Sequence, residues 1–328
     1  MARTAGLTTA SELDINRKPA PEKSHTKRRS AIGAGPLYIM MIPSMILLVI
    51  YSYVPMAGLM IAFNRYDVGK GLSAFWASPW CGLGNFKRLI GMTGSIQALL
   101  NTLNIAWWKM ATMFVIPVII SLLLNEVRKS YIKRGVQTII YLPHFLSWVI
   151  MAGILKDVLS SDGVFNNILM ALKWVKEPIT FLIEPNMFPH IIIWSNVWKE
   201  FGFSTIVFLA AITGIDPSLY EAAIVDGANR WRQTLHVTLP GMKPIIILVA
   251  VLSLGNILNA GFDQIFNLYS VPVYKTGDII DTLVYRVSMQ GGDYSLGTAL
   301  GLFRSVVSLI FVSLSYWLAY RLANYEIF

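Results

Sequence analysis

The chain has 328 residues, of which 55% are hydrophobic and only 14% charged, with a formal net charge of +9. Water-soluble domains carry about 25% charged residues, so this composition, with its repeated uncharged runs, excludes an ordinary soluble domain and indicates a polytopic membrane protein. A single cysteine, Cys81, excludes an internal disulfide and any multi-cysteine metal site.

Residues 1–30 are polar and rich in Ser, Thr, Pro and charge, with Lys23, Lys27, Arg28 and Arg29 clustered before the first apolar run. That composition predicts a disordered cytoplasmic arm, with a membrane domain over 31–328. The uncharged run at 31–64 is too long for a cleavable signal core, so it is read as a first span near 37–63, with Pro43 and Pro55 as kinks. Five further spans are predicted near 101–124, 137–156, 188–214, 244–262 and 298–322. The connections at 64–100, 157–187 and 263–295 are long; a short interfacial helix is expected at 168–175. The fold class expected is all-α, with six transmembrane helices.

Basic residues orient this bundle. With the amino end inside, the inner segments hold seven in the arm, four in 125–134, three in 214–243 and Arg321. The outer segments hold nine, spread over much longer connections. The bias places both termini in the cytoplasm. The positive charge thus reports topology, and nucleic-acid binding is a poor reading of it.

The inner segment at 216–241 is the most informative stretch. Asp216 can cap a helix, Pro217 suits the first helical position, and Glu221, Ala222 and Ala223 favour helix. Asp226-Gly227 permits a turn, and a second helical run follows Arg230 and Trp231, expected to close at Leu239-Pro240. This is a helix–turn–helix on the membrane surface, displayed to a partner.

Glu221, Ala222, Ala223, Gly227, Val237, Leu239 and Pro240 occur in the register of the EAA loop, and the stretch resembles that of permease subunits of binding-protein-dependent ABC importers. Val237 stands where that family usually has isoleucine. The likeness continues through PMAGLMIAFNRYD (55–67), GLGNFKRL (82–89), LLNEVRKSYIKRGVQTIIYLPHF (123–145), SLYEAAIVDGANRWRQ (218–233), FDQIFNLYSVPVY (262–274) and DIIDTLVYR (278–286). These stretches resemble the carbohydrate-uptake branch that includes the alginate-oligosaccharide importer. The resemblance implies a type I importer permease in the cytoplasmic (inner) membrane. Its loop would be the coupling helix that docks into a separate ATPase, with Glu221 and the face around Ala222, Asp226, Gly227, Arg230 and Trp231 transmitting motion. Ala222 and Ala223 would allow close approach. It further implies a second, related permease chain, two ATPase subunits and an extracytoplasmic solute-binding protein. ATP and magnesium would be bound by the ATPase, and no cofactor by this chain.

The residues agree that the chemistry lies elsewhere. There is no G-x-x-x-x-G-K-[ST], H-E-x-x-H or G-x-S-x-G, and the four histidines are scattered. A secondary sugar transporter would show inverted repeats, and a membrane-embedded enzyme a clustered acid, base or metal set; neither is visible.

Polar residues within spans are expected either to line a path or to hydrogen-bond between helices. Asn256, Asn259 and Asp263 fall at i, i+3 and i+7, with Gln264 beside them. Their amides and carboxylate suit hydroxyl-rich ligands. Trp194 and Trp198, near Lys199 and Glu200, offer stacking surfaces with a cation, and Arg304 lacks a partner on its own helix, so a carboxylate of a partner subunit is one reading. The two cations hint at an acidic sugar.

Overall fold

The computed structural model describes residues 35–255 and 258–323. The arm expected at 1–30 and the candidate Asn256 lie outside them. The chain divides into two units, Met1–Ala57 and Gly58–Phe328. In the first, α1 (Gly35–Leu48) contains Pro43. A π-helical turn, Val49–Tyr53, follows, in which the Val54 N–H bonds the Val49 carbonyl. The chain stays helical through Pro55, which follows this wider turn.

The second unit is built from α2 (Gly84–Gly91), α3 (Ser95–Glu126), α4 (Ser130–Tyr141), α5 (Trp148–Val158), α6 (Val164–Ala171), α7 (Phe188–Thr213) and α8 (Pro217–Val225). It continues with α9 (Arg230–Gly255), α10 (Phe262–Leu268), α11 (Ile280–Tyr285) and α12 (Tyr294–Ala323). Among the described residues no β-strand forms beyond one isolated bridge, Asn64 to Trp80. Four helices are long and apolar enough to cross a membrane: Tyr38–Phe63, Ser95–Glu126, Arg230–Gly255 and Tyr294–Trp317. Counting each of two bent helix pairs as one span brings the total to six.

Three expectations need correction. The span expected at 137–156 is broken: α4 ends in the 3₁₀ turn Leu142–Phe145, and α5 leaves at 104° to it. Pro143 and the Ser147 cap, which accepts from the Ile150 N–H at 3.3 Å, set that corner. Leu239-Pro240 closes nothing. A π-helical turn at Thr234–Thr238 directly precedes it, and α9 continues through Pro240 and Pro244 to Gly255. Finally, the described helix of the span expected at 244–262 reaches Gly255 and the chain is no longer helical at 258–261; the connection at 263–295 is largely helical, with Ile265, Leu268, Ile279, Ile280 and Leu283 buried.

The bundle is apolar outside as well as inside. Large side chains such as Ile119, Leu123, Leu309 and Ile310 are exposed along the spans, which suits hydrocarbon and would be untenable in water. Since lipid is as apolar as the core, cohesion comes from close packing and hydrogen bonds. α3 packs along α7. Gly202 lets α7 lie directly on α4, because a Cβ there would strike the Ile140 carbonyl. A buried polar cluster anchors the 262–290 segment to α3. Asn101 donates to the carbonyls of Lys275 (3.1 Å) and Asp278 (3.0 Å), and the Ile280 N–H donates to Thr102 (3.0 Å). Asp278 in turn pairs with Arg286 at 2.5 Å.

Candidate functional site

Two regions carry the functional reading: a central cleft and the hairpin at 216–241. The cleft, about 700 Å³, is lined by Lys109 and Met113 of α3, Trp148 of α5, Asn196 and Glu200 of α7, Ser253 of α9, and Asn259, Phe262 and Asp263 beyond it. These come from separated segments, so the cleft exists only when α3, α5, α7 and α9 have packed together.

Its polar wall is built around two lysines that desolvation would otherwise penalise. Lys109 is buried on α3. Its ammonium donates to the Ala260 carbonyl at 2.6 Å and to the Gln264 side chain. Gln264, also buried, donates onward to the Ile192 carbonyl (2.7 Å) and Ser195 (2.8 Å) on α7. Lys199 donates to the His144 carbonyl at 2.9 Å and pairs with Glu200 at 2.8 Å, lying over the Trp148 ring. The other Glu200 oxygen meets His144 Nδ1 at 2.7 Å, and the His144 ring stacks on Phe203. This network fastens the α4–α5 corner to α7.

The structure sorts the sequence candidates by role. Asn259 and Asp263 face the cleft, but not as one helical stripe: Gly261, at φ +91°, begins α10 after the end of α9. A turn rather than a continuous helix brings them together, and the left-handed backbone at Gly261 is open to glycine at no steric cost. Gln264 is not a lining residue; it is a buried tie between helices. Trp194 and Trp198 are exposed and do not line the cleft. They sit two positions from Asn196 and Glu200, which on a helix is nearly the opposite face. Lys199 lies behind Glu200 in the wall. Arg304 finds its carboxylate within the chain, Asp281 at 2.6 Å, and borders a second pocket beside the cleft. Sequence reasoning passed over Lys109, Trp148 and Ser253. The signal for Lys109 was its isolation in an otherwise uncharged span.

The hairpin follows the sequence closely. Asp216 caps α8, accepting from the Ser218 N–H at 2.9 Å, with Pro217 at the first helical position. Hydrogen bonds from the Ser218 amide and hydroxyl hold the Asp216 carboxyl below its ordinary range. α8 ends in a Schellman turn. Ala228 N–H bonds Ala223 O (2.8 Å), Gly227 N–H bonds Ile224 O (3.0 Å), and Gly227 takes φ +74°. Asn229 then caps α9 through the Arg232 N–H at 2.9 Å. Glu221, Ala222, Asp226, Gly227, Arg230 and Trp231 are exposed, and Ala223 half-buried. Leu239 is half-buried and Pro240 exposed within α9. Ile224, Val225 and Trp231 add large apolar side chains to the exposed surface. The base is pinned by Tyr220 to Thr238 at 2.9 Å and by Gln233 to the Ala228 carbonyl at 2.8 Å.

A loop displayed in this way, at the foot of a bundle with a polar cleft, fits what a comparison with known families finds. Residues 113–324 match the model of the binding-protein-dependent transport system inner membrane component. The chain belongs to that family. It is an ABC importer permease, a transport subunit rather than an enzyme, with membrane-spanning helices. Protein LplB of Bacillus subtilis is 41% identical, over 84% of this chain and 86% of its own. The polygalacturonan/rhamnogalacturonan transport system permease protein YteP of the same organism is 39% identical, over 89% and 90%. Among solved structures, the permease is similar to a chain of a bacterial alginate ABC transporter in complex with an alginate pentasaccharide-bound periplasmic protein. The TM-score there is 0.81 at 38% identity, covering 90% of this chain and 98% of that one.

Proposed function

We propose that this permease imports an acidic oligosaccharide, with the central cleft as its share of the translocation path and the 216–241 hairpin as its coupling element. The observation that carries the reading is the pairing of the two regions in one chain. A polar cleft lined by Asn196, Asn259, Asp263 and Ser253 offers donors and acceptors to sugar hydroxyls, and an exposed, locally rigid hairpin offers a docking surface. The relatives transporting polygalacturonan or alginate support the substrate class.

In this reading both termini and the hairpin lie in the cytoplasm. An extracytoplasmic binding protein delivers the oligosaccharide to the opposite end, and a second, different permease completes the path. Two ATPase subunits bind ATP and magnesium and receive the hairpin. Closure of the ATPase pair moves α8 through Glu221, Ala222, Ala223, Asp226, Gly227, Arg230 and Trp231. The pinned start of α9, including Leu239 and Pro240, passes that motion to the helices around the cleft, which open alternately to each side. The test is uptake into proteoliposomes containing the complete transporter. ATP and loaded binding protein together should drive accumulation of an oligogalacturonate or oligoalginate. Accumulation without the ATPase, or none with any acidic oligosaccharide, would refute the reading.

A further inference from the structure

Beside the cleft lies a second, open pocket of about 440 Å³, which shares Asn259 and Phe262 with it and is lined further by Asp281, Tyr285 and Arg304. Arg304 stands midway along the apolar span Tyr294–Trp317. A guanidinium at that position is tolerated only if it faces a polar cavity with compensating partners. Its partners are Asp281 Oδ1 at 2.6 Å from Nη1 and the Leu258 carbonyl at 3.1 Å from Nη2. The first is an ion pair and the second a single N–H donation from Nη2, whereas the fork has five donors. The Arg304 side chain keeps 32% of its surface exposed against 17% for Asp281, and it lines the pocket.

We propose that Arg304 is a specificity-determining residue that receives a carboxylate of the passing oligosaccharide, and that Asp281 acts as an exchangeable counter-ligand keeping this contact weak. The inference rests on the functional reading above and adds the recognised group, a uronate carboxylate. A planar guanidinium matches a carboxylate with two parallel hydrogen bonds, which a hydroxyl cannot reproduce. A transport site must also release its cargo, and an acidic residue already on the fork competes with the sugar and limits its residence. Asn259, on the border of the two cavities, would hold neighbouring hydroxyls as the chain moves between them.

The test compares trigalacturonate with its fully methyl-esterified form, binding each to the purified complete transporter by calorimetric titration in the absence of binding protein. Wild type should prefer the acid. Arg304→Gln should reduce that preference at least about tenfold, and Arg304→Lys, which keeps the charge but loses the fork, by less. Asp281→Asn should move it the other way, strengthening acid binding while slowing turnover; a gain of this kind cannot come from misfolding. Equal binding of acid and ester by wild type, no binding of either, or equal weakening of both by Arg304→Gln would overturn the proposal. Failure of the functional reading is read separately, from the absence of ATP-driven acidic oligosaccharide uptake by the wild-type transporter.

Discussion

The hairpin and the cleft are held together in opposite ways. The bonds that cap and turn the hairpin join residues within about twenty positions of one another: Asp216 to Ser218, Ala228 to Ala223, Asn229 to Arg232, Tyr220 to Thr238. The cleft depends on bonds across the chain, from Lys109 to Ala260, Gln264 to Ile192 and Lys199 to His144. On the proposed reading, the part pushed by another protein is shaped by its own local bonds, and the part that opens and closes is assembled from pieces that can move apart. Substitutions in the two regions should therefore fail differently.

The largest effect on stability is expected at the cleft. Gln264→Leu removes the bridge between α10 and α7 and leaves the buried Lys109 ammonium short of an acceptor. This should cost about 3 kcal/mol, read as a lower melting temperature of the purified complex, with partial recovery on adding Lys109→Met. Gly227→Leu comes next. It forces a branched side chain into φ +74°, a local cost of about 1–2 kcal/mol. The bundle should melt nearly as wild type while ATP hydrolysis no longer drives uptake. Normal coupled uptake by an assembled Gly227→Leu complex would contradict the hairpin's role.

Smaller effects sharpen the contrast. Asn229→Ala loses the cap on α9, about 1 kcal/mol, and faster amide exchange should be confined to the first turns after residue 229. The smallest effect is a pH dependence. The folded Asp216 carboxyl titrates below its unfolded range, so its contribution is complete above about pH 4 and is lost as pH falls through the folded value. Protection of the α8 amides should fall at the acidic end of this window, and Asp216→Asn should flatten the profile.

The same division explains what the sequence disclosed. The hairpin was legible because caps, turn glycine and first-turn proline act on immediate neighbours. Even there, Pro240 misled, since nothing in Thr234–Thr238 announces the π-helical turn that lets α9 continue. The spans were legible as apolar runs, but the corner between α4 and α5 was passed over although Pro143 and Ser147, which set it, are local signals; only its fastening to α7 through Lys199 and Glu200 lay beyond the sequence. The cleft was the least legible. Asn259 and Asp263 were found for a geometric reason that does not hold, and Lys109 was passed over because its partners lie some 150 positions away. Trp194 and Trp198 looked like sugar platforms until the face of α7 they occupy was known.

The central claim is that the exposed 217–233 hairpin takes force from a separate ATPase. Cys81 is the chain's one cysteine, so a Cys81→Ser background carrying Ala222→Cys gives a single reporter on α8. In the complete transporter this thiol should be labelled from the cytoplasmic side and cross-link to the ATPase subunit, with a yield that changes between ATP-bound and nucleotide-free states. Labelling only from the opposite side of the membrane, or a transport-active complex in which positions along the exposed face of α8 never cross-link to the ATPase, would contradict it.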